Sequence, residues 1–73
     1  MKTLEQLISQ HAIVKVIFES FESSKDIDSI TEYSAYLKGI VWGLFEGGFM
    51  LDSERAKIIE KIVDLQFEKI SQI

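Results

Sequence analysis

The chain contains no proline, and all four of its glycines fall between Gly39 and Gly48. Outside that window only capping residues and polar runs can punctuate a helix. Between those marks apolar residues recur at helical spacing, and there is no strand pattern. The expected fold is all-α: helices over about residues 4–22, 30–46 and 53–71 in a single domain, 1–73, forming a small three-helix bundle that dimerises into a larger helical bundle.

The first helix is expected to start at Thr3, with Gln6 completing a capping box. Its seam is Leu4, Leu7, His11, Val14, Phe18 and Phe21, spaced alternately by three and four as in a coiled coil. Ile13, Val16 and Ile17 lie off that seam, so the middle of the helix is apolar on a second side. The polar run Glu22 to Ser29 reads as a connection, and Ser29 with Glu32 forms a second capping box. Ile30, Tyr33, Leu37, Ile40, Val41 and Leu44 then share the core face of the second helix. Gly47 and Gly48 supply a left-handed exit. Asp52 is the expected N-cap of the third helix, with Leu51 stapled against Ala56 and Glu54 in the first turn. The apolar residues of that helix cover an arc of about 200°, where one facing a single core needs about 100° to 120°.

Seventy-three residues without cysteine sit near the size at which one core barely offsets chain entropy, and no disulfide makes up the difference. Association is the expected remedy, and a reducing, cytoplasmic setting fits the missing thiols. The 47% hydrophobic content argues against disorder. No apolar run is long enough to cross a bilayer, and no leader pattern opens the chain. A net charge of −4 repels phosphate backbones and anionic lipid, so direct nucleic-acid binding is disfavoured.

His11 is the only histidine and lacks any Glu-x-x-His or His-x-x-x-His companion, which makes it a structural seam residue rather than a ligand or base. The segment Asp26 to Thr31 has the opening of a calcium loop, but Thr31 stands where the turn needs glycine and Leu37 where the bidentate carboxylate belongs. No GxGxxG phosphate cradle occurs. No catalytic residue, metal ligand or cofactor is assigned. A helix-turn-helix reader would use Ser53, Glu54, Arg55 and Lys57 on the third helix, where Glu54 repels phosphate and Glu60 and Asp64 flank the face.

The stretch GIVWGLFEGGFM, Gly39 to Met50, carries the sharper signal. Ala35, Gly39, Gly43 and Gly47 recur every four residues, although a glycine inside a helix costs about 0.8 to 1 kcal/mol relative to alanine. Such a ladder either relieves crowding within the bundle or admits another backbone at close range. Trp42 falls about 160° from the core direction on the wheel, where it must be either covered by a second layer of protein or exposed as an anchor. The expected interface therefore comprises Ala35, Gly39, Trp42, Gly43, Phe45, Glu46 and Phe49, with Ile58, Ile62 and Leu65 from the wide arc of the third helix. The function expected is that of a non-enzymatic inhibitor, adaptor or regulator that forms a homodimer and acts on a protein partner. A nucleic-acid-linked transcriptional regulator and a small structural subunit are the alternatives.

Overall fold

The computed structural model describes all 73 residues, Met1 to Ile73, as four α-helices with no strand: α1 (Leu4–Gln10), α2 (Ala12–Ser23), α3 (Ile27–Glu46) and α4 (Asp52–Ser71). The chain is all-helical, as its periodicity indicates. The helix count differs, because the expected first helix is broken into two at His11. This residue adopts an extended backbone, φ −127° and ψ 113°, while its N–H still donates to Leu7 O at 3.0 Å and its carbonyl accepts from Lys15 N at 3.1 Å. One extended residue redirects α1 towards the start of α4, so that Leu4 lies beside Ile58. Burial elsewhere in the molecule favours the break; no glycine or proline marks it. His11 is half-buried at this junction, its side chain capping neither helix.

The helix starts show what local chemistry decides. Thr3 and Gln6 form the expected capping box on α1. For α3, however, the cap is Asp26 rather than Ser29: Asp26 Oδ1 accepts from Ser29 N at 2.8 Å and Oδ2 from Ser29 Oγ at 3.1 Å. An ionised carboxylate three residues upstream is a stronger acceptor than a hydroxyl, so the helix opens at Ile27. For α4 the cap position is Leu51, which has no side-chain acceptor, and Glu54 Oε1 reaches back to Leu51 N at 2.8 Å. Asp52 is instead the first helical residue and pairs with Arg55 Nε at 2.9 Å. Leu51 and Ala56 are both exposed, so the expected staple between them is absent.

At its C-terminus α3 closes as the glycines require. Gly48, at φ +82°, donates to Phe45 O at 3.0 Å, and Phe49 N donates to Leu44 O at 2.9 Å, the paired bonds of a Schellman motif. Only Gly48 is left-handed. Gly47 is right-handed, and a Cβ there would stand 3.0 Å from the exposed Phe49 ring, which would have to give slightly.

Helix α3 is the centre of the architecture, packed against α2 on one flank and α4 on the other, while α1 leans on α2. The core joins Leu4, Leu7, Val14, Phe21, Ile30, Leu37, Val41, Met50, Ile58 and Ile62. Ser34, fully buried, sits among them and donates from Oγ to Gln66 Oε1 at 2.6 Å, fixing the register of α3 against α4. No helix is long and apolar enough to cross a membrane.

Candidate functional site

The buried stripe of α3 runs through Ile30, Ser34, Leu37 and Val41, with Tyr33, Ile40 and Leu44 half-buried on one shoulder and Lys38 and Phe45 on the other. Including Ser34 turns the stripe towards α4. Trp42 consequently lies about 110° from its centre, on the α4 shoulder, rather than opposite the core. It is 44% exposed. The Arg55 guanidinium stacks 4.3 Å from the Trp42 ring centroid and 5.6 Å from that of Phe45, and the two rings meet edge to face at 5.9 Å. Asp52 Oδ1 accepts from Nε of the same guanidinium at 2.9 Å. This neutralised cation forms a fixed wall behind the tryptophan.

On the opposite shoulder Tyr36 is also about half exposed, edge-on to Tyr33, and its hydroxyl donates to Glu32 Oε1 at 2.7 Å. That bond, together with the charge of the carboxylate, raises the Tyr36 pKa above its ordinary value. Between the two aromatics run Ala35, Gly39 and Gly43, all exposed. A Cβ built on Gly39 or Gly43 meets no atom within 4 Å, so neither glycine relieves crowding inside the bundle. The outer side of α3 is thus a trough only in outline: an open strip of backbone and small side chains flanked by Trp42 and Tyr36, with no pocket beneath it.

The trough continues onto α4. The Ser34–Gln66 bond and the Arg55–Trp42 stack fix the antiparallel register, which sets the half-buried Ile59 and Val63 on the α3 side of α4, while Phe67, exposed, lies further round that helix, opposite its buried stripe. Of the residues expected at the interface, Ala35, Gly39, Trp42, Gly43 and Glu46 share this outer face, and Phe45 lies half-buried behind Trp42. Phe49 is exposed on the α3–α4 turn. Ile58 and Ile62 are core residues of the single chain, 2% and 1% exposed, and present no surface. They occupy the centre of the buried stripe of α4, whose wide apolar arc spreads from them to Ile59, Val63 and Phe67. Leu65 is half-buried against the core on the other side of that stripe. The residues passed over, Tyr36, Ile59, Val63 and Phe67, follow from the wheel once Ser34 is placed inside.

The remaining chemistry-bearing residues lie apart. No three His, Asp or Glu side chains converge on one point. Of the four residues a helix-turn-helix reading requires, Glu54 is buried and Arg55 is committed to Trp42 and Asp52. Glu54 accepts from Leu51 N and from Lys2 N, and these backbone bonds, led by the one from Leu51, hold its pKa below the ordinary value. In comparisons with protein-family models, curated proteins and solved structures, nothing matches the chain.

Proposed function

We propose that the protein is a non-enzymatic interaction module, an inhibitor, adaptor or regulator that binds another protein through the outer face of α3 and its seam with α4. The observation that carries this reading is the open floor at Gly39 and Gly43. Each interior glycine destabilises the helix by about 0.8 to 1 kcal/mol against alanine, and no intramolecular contact gains from it. A helix backbone accessible between two exposed aromatic side chains is suited to close approach by a second helix. Tryptophan at the edge of such a surface is among the residue types most enriched at binding hot spots.

Self-association is a second reading, favoured by the breadth of the apolar surface: Ile13 and Val16 on α2 are more than half exposed, as is Phe67 on α4. A second copy would cover such flanks together. Light scattering at micromolar concentration separates a dimer from a monomer. Capture of a binding partner by the wild type and by Trp42→Ala tests the reading itself, with a loss of roughly 2 kcal/mol or more expected for the variant. Unchanged capture by a folded Trp42→Ala protein would show that binding occurs elsewhere.

A further inference from the structure

The charges around the trough select its occupant. The outer side of α3 carries three carboxylates, Asp28, Glu32 and Glu46, all exposed, against one ammonium, Lys38, half-buried on the α4 shoulder. The nearest other cation, Arg55, is already neutralised by Asp52 and stacked on Trp42. The acidic groups stand at the two ends and the apolar floor lies between them: Glu32 and Glu46 are separated by about 21 Å at 1.5 Å per residue, with Gly39 midway.

From this arrangement, and resting on the interaction reading above, we infer that the trough receives an amphipathic helix of a foreign protein, apolar in its middle and bearing Lys or Arg near both ends. A second copy of this chain fits less well. An antiparallel crossing centred on Gly39 sets Glu32 of each copy against Glu46 of the other, and a parallel one sets every carboxylate beside its own equivalent. Like charges facing one another across an interface oppose association, whereas a basic helix converts the same rim into charge-assisted contacts that steer its approach. The spacing also fixes a length. Spanning both acidic ends takes about 15 residues, or four turns of helix.

Trp42 is the only tryptophan, so its emission reports occupancy of the trough directly. The probes are two synthetic 18-residue amphipathic helical peptides, one of leucine and lysine, the other with every lysine replaced by glutamate. They are titrated into the full chain at low ionic strength. The leucine–lysine peptide should bind saturably with a blue shift of Trp42 emission, about tenfold or more tighter than the leucine–glutamate peptide, and lose that preference as salt rises. Glu32→Gln combined with Glu46→Gln should abolish most of the discrimination, while Glu5→Gln with Glu19→Gln, outside the face, should leave it within about twofold. Equal binding of the two peptides, or preference for the acidic one, overturns the basic-helix assignment and leaves the interaction reading standing. A dimer dissociated by Gly43→Leu, with no peptide bound, overturns it in favour of a second copy. A monodisperse monomer that binds neither peptide overturns both.

Discussion

Glu54 accepts two backbone N–H groups, Lys2 from the start of the chain and Leu51 from the start of α4, in a nearly buried position. N–H donors on both oxygens favour the ionised carboxylate, and the folded pKa lies below the ordinary 4.5. A carboxylate depressed in this way contributes stability that is fully present above its unfolded pKa and is lost as pH falls through the folded one. Denaturant unfolding of the wild type should therefore weaken on acidification below about pH 4.5, and the curve for Glu54→Gln should be flatter over that interval. The same dependence in both proteins would assign the acid sensitivity to other groups. Ser34 shows a different kind of determinant. A small hydroxyl on the core stripe reads as a surface residue by type, yet the wheel places it between Ile30, Leu37 and Val41. Only the partner, Gln66, thirty-two residues away, reveals why a polar atom is tolerated there.

At the scale of the helices, α3 combines strong burial on one side with two glycines that gain nothing on the other. Gly39→Ala and Gly43→Ala should each raise stability by about 0.8 to 1 kcal/mol, since the added methyl meets open space and the unfolded chain loses freedom. For a domain of this size that corresponds to a rise in Tm of about 4 to 8 °C per kcal/mol. Under the proposed function the same substitutions weaken partner binding, so calorimetric stability and affinity should move in opposite directions. A Tm that does not rise would mean that the isolated protomer already uses the glycines. The helical class and the approximate spans of the helices were readable from apolar spacing, which acts within a few residues, and of the expected caps only the Thr3–Gln6 box is present. Where several caps compete locally, as Asp26 does with Ser29, the acceptor strength decides, and the wheel alone does not show it. The break at His11 was hidden for a different reason: it follows from where α4 and the α3–α4 turn lie, and no property of residues 8–14 announces it. Of the proposed interface, the exposure of Trp42, Ala35, Gly39 and Gly43 follows from one helix, but Ile58 and Ile62 could be assigned to the core only with all four in place.

For the molecule as a whole, the accessible surface of 4617 Å² equals the roughly 4600 Å² expected of a compact monomer of 8.4 kDa. The exposed Trp42, Tyr36 and Phe67 are therefore features of a well-closed fold rather than signs of a core left open. Lys57, Glu60, Lys61 and Asp64 cluster together on α4, while exposed apolar side chains occur on α2 (Ile13, Val16), α3 (Tyr36, Trp42), the α3–α4 turn (Phe49, Leu51) and α4 (Phe67). The single extended residue at His11 has a kinetic counterpart. Seven residues are too few to remain helical alone, so α1 is held by Leu4, Leu7 and the ties from Lys2 to Glu54 and Phe49, contacts that span about two thirds of the chain. Detachment of this segment leaves α2, α3 and α4 joined through their own contacts, although it uncovers the core faces that Leu4 and Leu7 cover, and its docking closes a long loop. In native-state hydrogen exchange the amides of α1 should accordingly open with a smaller free energy than those of Leu37 and Val41, and with little dependence on denaturant, whereas a common opening energy for all four helices would make the chain a single cooperative unit.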